Sequence, residues 1–263
     1  MFSLDGRVAL ITGGAAGLGK LFGETLADFG ADIAIADIDE ATARQTAGLI
    51  EGRGRRVLWV KADVSRPDQV QRMVDETVSR LGTIDILVNN AGITAKGYRI
   101  ADMPVEDWDR VIAVDLRGVF LCTRAVLPVM VKQERGSIIN IASVYGVRPF
   151  FEIGQIKPNA PYAAAKAAVI SLTKETAQEY ARDGIRANSI APGWHEGTRL
   201  LSATQAAGEE ERWKKYDETV HRMTPMGRKG DPNELKGLLV YLASDASSFV
   251  TGQVFVSDGG IAI

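Results

Sequence analysis

Seven short runs rich in Val, Ile and Ala recur along the chain, at Val8 to Ile11, Ile33 to Ala36, Val57 to Val60, Ile84 to Val88, Ser137 to Ile141, Arg186 to Ile190 and Val254 to Val256. They are apolar on successive residues rather than alternating, the pattern of strands covered on both faces. Helical patterns lie between them. After the first run, Leu18, Leu21, Phe22, Thr25, Leu26 and Phe29 fall at i, i+3, i+4, i+7, i+8 and i+11, one stripe turned toward a sheet. Strand and helix alternate through all 263 residues with no linker, charge block or repeat. The expected fold is α/β, a doubly wound parallel seven-stranded sheet flanked by helices, in one domain over residues 1–263.

Two segments break this rhythm. Gly146 to Pro161 carries three prolines and two glycines and reads as a loop. Gly193 to Gly230 is long for a connection in a compact domain and reads as a substrate loop, with Glu209 to Val220 able to form its own helix. Both follow strands, at the carboxyl edge where open α/β sheets bind ligands.

Composition closes off several function classes. With 31 basic and 33 acidic side chains the formal net charge is −2, which draws the chain to neither nucleic acid nor a membrane surface. Cys122 is the single cysteine, and His195 and His221 have no metal-ligand spacing around them, so neither a disulfide nor a metal site is expected. Cys122 sits in an apolar helical stretch and no G-x-S-x-G elbow is present, which disfavours a hydrolytic nucleophile. Met1 to Arg7 lacks a basic-then-apolar leader, and Val111 to Val131 is interrupted by Asp115, Arg117 and Arg124. A cytoplasmic protein without a transmembrane helix is expected.

The first strand runs into Thr12-Gly13-Gly14-Ala15-Ala16-Gly17-Leu18-Gly19 and then a helix. Glycines here let the backbone turn sharply and bring a pyrophosphate to the helix N-terminus, whose unpaired N–H groups favour anions. No Lys-Ser/Thr pair follows, so a nucleoside-triphosphate loop is disfavoured and a Rossmann-type dinucleotide fold is favoured. Asp37 ends the second strand, 18 residues after Gly19, where a carboxylate accepts both hydroxyls of an adenosine ribose and repels a 2′-phosphate. Ala15 and Ala16 supply no cation for such a phosphate, so NAD is expected over NADP. The bland alternative for Asp37 is a turn or helix cap.

Tyr162 and Lys166 form a YxxxK pair in the helical stretch Tyr162 to Asp183, one turn apart on one face. A lysine there lowers the tyrosine pKa and makes a phenolate available as a base. The alternative is a rim tyrosine beside a solvated surface lysine.

Thr12-Gly13-x-x-x-Gly17-x-Gly19, Asn89-Asn90-Ala91-Gly92, Ser143, Tyr162-x-x-x-Lys166 and Pro192-Gly193 occur in the order of the short-chain dehydrogenase/reductase family, which the chain resembles over nearly its whole length. Thr251-Gly252-Gln253 and Ser257-Asp258-Gly259-Gly260 resemble that family's C-terminus. The resemblance implies Tyr162 as general acid/base, Lys166 on the nicotinamide ribose, and Ser143 on the substrate oxygen. It further implies cofactor contacts from Thr12, Gly13, Gly17, Leu18 and Gly19, from Asp63 and Val64 at the adenine, from Asn90, and from Thr198 at the carboxamide. For Ser143 and Asp63 a plain turn role is the alternative.

Two departures stand out. Where the family usually has an asparagine supporting a proton-relay water, this chain has Asp115, within Val114-Asp115-Leu116-Arg117-Gly118. A carboxylate there either pairs with Lys166 and weakens its pull on Tyr162 or takes over the relay. In the second case Asp115→Asn retains or raises activity. About six extra residues also separate Ser143 from Tyr162, looping out near Phe150 to Pro158. Phe150 or Phe151 is expected to touch substrate or a neighbouring subunit, with kinetics and assembly of the double alanine variant as the check.

Polar and cationic side chains between Trp194 and Met226, among them His195, Glu196, Arg199, Arg212, Lys214, Lys215, His221 and Arg222, tilt the expected substrate toward a polyol, sugar or sugar acid. The alternative is a solvated helix face. The expected activity is thus NAD-dependent interconversion of a secondary alcohol and its ketone, similar to gluconate dehydrogenases. The rivals are a 3-oxoacyl-carrier-protein reductase and, in another class, a non-catalytic NAD-binding scaffold or regulator. The resemblance implies a homo-oligomer, dimer or tetramer, acting on a small hydroxyl or carbonyl compound.

Overall fold

The computed structural model describes residues 1–149, 159–197 and 210–262. Its strands are β1 (Val8–Thr12), β2 (Asp32–Asp37), β3 (Val57–Lys61), β4 (Ile86–Asn89), β5 (Gly136–Ile141), β6 (Ile185–Pro192) and β7 (Val254–Ser257). They form one sheet in the order β3-β2-β1-β4-β5-β6-β7, with every neighbouring pair parallel. The main helices are α1 (Gly17–Asp28), α2 (Glu40–Glu51), α3 (Pro67–Leu81), α4 (Val105–Ile112), α5 (Val119–Lys132), α6 (Val144–Val147), α7 (Ala160–Tyr180), α8 (Glu210–Met223) and α9 (Lys236–Ala243). None of the described helices is long and apolar enough to cross a membrane.

Burial on both faces explains why the strands read as continuous apolar runs. Along β1, Ala9 and Ile11 join a core with Phe22 and Leu26 of α1 and Leu239 and Leu242 of α9. Val8 and Leu10 point the other way, into a core with Val70, Met73 and Val74 of α3 and Val126 and Met130 of α5. Each buried Leu, Ile or Val contributes about 1.5–3 kcal/mol, so the two layers hold the sheet between them. Cys122 lies in the second core, and burial pushes its thiol up to about 12, so it behaves as a packing residue.

The sheet reverses its order between β1 and β4, and the chain leaves both strands at the same edge, which opens the crevice where such folds take ligands. Differences from the expected boundaries are local. Strand β4 starts at Ile86 rather than Ile84, and just before it the Asp85 carboxylate accepts the Val8 N–H at 2.9 Å. The expected loop from Gly146 is helical at its start, since Ser143 caps α6 by accepting the Tyr145 N–H at 3.2 Å. Phe150 to Pro158 lie outside the described residues. The helix expected over Glu209 to Val220 spans Glu210–Met223.

Candidate active site

The glycine turn is fixed by close approach. Gly13 has φ +63°, and a Cβ there would lie 2.8 Å from the Ala91 Cα; at Gly19 it would lie 2.0 Å from the Gly13 carbonyl oxygen. Only glycine lets β1, the turn and the end of β4 come this near. The Asn90 amide locks them by donating to the carbonyls of Thr12 and Gly13, both at 3.0 Å. Thr12 Oγ1 accepts from the N–H groups of Asn90 and Ala91, both at 3.1 Å. Gly17, with φ +54°, begins α1, and Leu18 packs half-buried on the core. Ala16 at the N-cap offers no side-chain acceptor, so the first-turn N–H groups of α1 are left for an anion.

Asp37 stands beside this turn at the end of β2. One carboxylate oxygen accepts the Ala15 N–H at 3.1 Å and the other the Asp39 N–H at 3.0 Å. Each oxygen keeps a second lone pair, so the turn role and a ribose role are compatible. Asp63 follows β3 and makes an Asx turn, accepting from Ser65 N at 2.9 Å and Ser65 Oγ at 2.7 Å. Val64 packs against Gly118, where a Cβ would meet it at 2.8 Å. Thr198 lies outside the described residues.

Ser143, Tyr162, Lys166 and Asp115 converge across the crevice from the start of α6, from α7 and from the segment before α5. Helix α7 carries a buried stripe of Tyr162, Ala165, Lys166, Val169, Thr173 and Ala177. Tyr162 is therefore 9% exposed and Lys166 3%, which removes the reading of a rim tyrosine and a solvated lysine. Ser143 stands beside the Tyr162 hydroxyl and helps to lower its pKa. The Lys166 Nζ lies 5.3 Å from the Tyr162 ring centre and donates to the Ile141 carbonyl at 3.1 Å.

Asp115 sits in a π-helical turn, Ala113–Gly118, a widening of the helix often found at functional sites. Its Oδ1 accepts the Ile93 N–H at 2.8 Å, and its Oδ2 is 3.2 Å from Lys166 Nζ. Gly92 clears the space: a Cβ there would stand 2.9 Å from Asp115 Oδ2 and 3.4 Å from Lys166 Nζ. Burial pushes the Asp115 carboxyl up, with Lys166 and the Ile93 N–H pulling it back. Burial works against the Lys166 ammonium, but Asp115 and Tyr162 outweigh it and hold the lysine above its usual value. Tyr162 is raised by burial; Lys166 pulls it down, as the sequence leads one to expect, while Asp115 pushes it up. The net result corrects the expectation of a lowered phenol.

An aromatic chain not foreseen from the sequence continues from Tyr162. Tyr145 meets it edge-on at 6.4 Å, Trp194 meets Tyr145 at 6.4 Å, and Tyr216 meets Trp194 at 6.5 Å. The Trp194 indole N–H donates to the Tyr145 hydroxyl at 2.6 Å. Tyr216 and Val220 turn the inner face of α8 onto this chain with Val144 and Ile261, while Lys214, Lys215, His221 and Arg222 face solvent. His195 is buried, and its segment pairs with Gly230 through Gly230 N to Trp194 O at 2.8 Å and Glu196 N to Gly230 O at 3.0 Å. Among the described residues of the expected substrate loop, Lys214, Lys215, His221 and Arg222 thus lie outside, while Trp194 and Tyr216 lie within. Tyr145 is marked in the sequence only by standing two residues after Ser143.

A family model described as enoyl-(acyl carrier protein) reductase matches residues 13–262. The chain belongs to the short-chain dehydrogenase/reductase family. It is therefore an oxidoreductase by family. This short-chain dehydrogenase/reductase is 41% identical to a 3-oxoacyl-[acyl-carrier-protein] reductase of Thermotoga maritima, over 99% of each chain. It is 40% identical to a gluconate 5-dehydrogenase from Burkholderia cenocepacia solved in complex with NADP and tartrate, with a TM-score of 0.88 over 99% of this chain and 96% of the other. A 3-ketoacyl-(acyl-carrier-protein) reductase from Brucella melitensis, complexed with NADH, is 34% identical, with a TM-score of 0.86 over 99% and 100% of the two chains.

Proposed function

We propose that this short-chain dehydrogenase/reductase interconverts a small secondary alcohol and its ketone with NAD, using Tyr162 as general acid/base. The observation that carries the reading is the buried meeting of Tyr162, Ser143 and Lys166 at the mouth of the β1/β4 crevice. The donor set fits a dinucleotide: uncapped N–H groups of α1 for the pyrophosphate, the Asp37 carboxylate for ribose hydroxyls, and Lys166 for the second ribose. Around them, Thr12, Gly13, Gly17, Leu18, Gly19, Asn90, Asp63 and Val64 would line the same cofactor, with Thr198 at the carboxamide.

When bound, the nicotinamide supplies or accepts the hydride. Tyr162 Oη gives its proton to the carbonyl oxygen in reduction and takes it from the hydroxyl in oxidation. Ser143 Oγ, which already accepts the Tyr145 N–H, holds its own proton toward that oxygen. Lys166 keeps a positive charge near the phenol.

The aromatic faces of Tyr145 and Trp194 suit a compact ring or polyol whose C–H faces pack on them, which keeps the sugar, polyol or sugar-acid substrate as the first reading. The second is a 3-oxoacyl thioester, favoured by the 41% identity to the Thermotoga reductase. A homo-oligomer belongs to the same proposal, with exposed Phe249 and Val256 giving apolar surface at edge strand β7. Reduced-nicotinamide absorbance with NAD or NADP against polyols, sugar acids and 3-hydroxyacyl thioesters tests the substrate reading. Turnover of a polyol or sugar acid with NAD is the expected result, and turnover confined to the thioester with NADP overturns it.

Asp37→Ser keeps an acceptor for the Ala15 N–H but removes the charge. Losing a charge-assisted hydrogen bond, about 1.5–3 kcal/mol, lowers kcat/KM for NAD by about 10- to 100-fold, and NADP use rises. An unchanged NAD to NADP ratio would remove Asp37 from cofactor selection.

A further inference from the structure

Lys166 and Asp115 are both shut away from water, with side-chain exposures of 4% and 0%. The groups facing Tyr162 are Lys166 from its own helix, Asp115 from the π-helical turn, and Ser143 and Tyr145 from the start of α6, with Arg148 acting on Tyr145. In this setting the count of charges decides the protonation state. Beside a lone lysine, a tyrosinate completes a neutral pair. Beside a lysine already balanced by a carboxylate 3.2 Å away, it leaves the buried cluster with a net negative charge. Charges interact several times more strongly here than in water, so the difference is felt at the phenol.

We infer that Asp115 is a positioning residue that acts through Lys166 to keep Tyr162 protonated at neutral pH, and so poises the site for carbonyl reduction. The inference rests on the reading of Tyr162 as acid/base. In the favoured direction the carbonyl carbon receives a hydride from the reduced nicotinamide, and the carbon–oxygen π bond breaks toward oxygen. That oxygen takes the Tyr162 proton, the dinucleotide leaves oxidised, and solvent reprotonates the phenolate. Oxidation needs the phenolate at the outset, so it awaits higher pH. The Ile93 N–H and the Ile141 carbonyl hold the two partners in place through both directions.

The test is kcat/KM against pH in both directions for the wild type and Asp115→Asn, with the same dinucleotide throughout. Asparagine retains an acceptor for the Ile93 N–H and removes the charge. The acid limb of the oxidation profile is expected to move down by about one pH unit, raising oxidation at pH 7 by roughly tenfold. The alkaline limb of reduction is expected to move down with it. Should Asp115→Asn fold poorly, Asp115→Ser makes the same charge change in a smaller side chain. Limbs that stay in place in a folded neutral variant overturn the inference. Tyr162→Phe, assayed alongside, separates the two failures: its activity would sink the acid/base reading itself, whereas an inactive Tyr162→Phe with unmoved limbs sinks the role of Asp115 alone.

Discussion

Tyr162→Phe lowers kcat/KM in both directions by about 10²- to 10⁴-fold, the contribution usual for a positioned general acid/base. The fold should survive, because the ring keeps its packing against Ala95 and Val111 and its edge-on contact with Tyr145. Only the hydroxyl, with its Ser143 neighbour left in place, is lost. Dinucleotide binding, followed by quenching of protein fluorescence, is expected to stay within a few-fold of the wild type. That combination distinguishes lost proton transfer from a damaged site. A variant that turns over at near wild-type rate would move the acid/base role elsewhere.

Lys166→Met carries the largest expected effect on stability. Methionine fills much of the same volume, but it leaves the Asp115 carboxylate buried without its cation, held by the Ile93 N–H. Removing one member of a buried ion pair costs about 3–5 kcal/mol, more than the pair itself contributes. Urea unfolding should show this loss, and Lys166→Met combined with Asp115→Asn should recover most of it, because two neutral side chains leave no stranded charge. The pH dependence has a definite sign. Asp115 has a folded pKa above its ordinary value, so its contribution to stability is fully present at acid pH and is lost as pH rises through the folded value. Without the pull of Lys166 that value moves higher still. The single variant should therefore be weakest at neutral and alkaline pH and partly rescued by acid, and a deficit independent of pH would contradict this account.

The sheet was legible because its cause is local. Seven apolar runs with no alternation demand cover on both faces, and β1 meets that demand by sending Ala9 and Ile11 to one core and Val8 and Leu10 to the other. The glycine turn was legible for the same reason, since glycine is the residue that takes the positive φ seen at Gly13 and Gly17 without strain. The i, i+4 spacing put Tyr162 and Lys166 on one face, though not on the buried one, because their own sequence does not say which side of α7 meets the sheet. The charged residues of α8 show the opposite case. They suggested a polar pocket, yet among the described side chains of this helix Tyr216 and Val220 turn inward.

By itself, then, the sequence determined the parallel α/β architecture, the crevice at the carboxyl edge and the pairing of Tyr162 with Lys166 on one helix face, while Ser143 and Asp115 were marked only by resemblance to a family. Periodicity and backbone preference act over a few residues, and a one-dimensional string carries them. The tertiary structure decided which groups touch. Asp115 and Lys166 come from different helical segments, and they meet only because a π turn widens the chain before α5 and Gly92 leaves room beside them. Tyr145, Trp194 and Tyr216 join for the same kind of reason, from three separate segments. Burial then fixes the charge balance of the site, because the energy of an ion pair depends on distance and dielectric, and both arise from packing rather than from order along the chain.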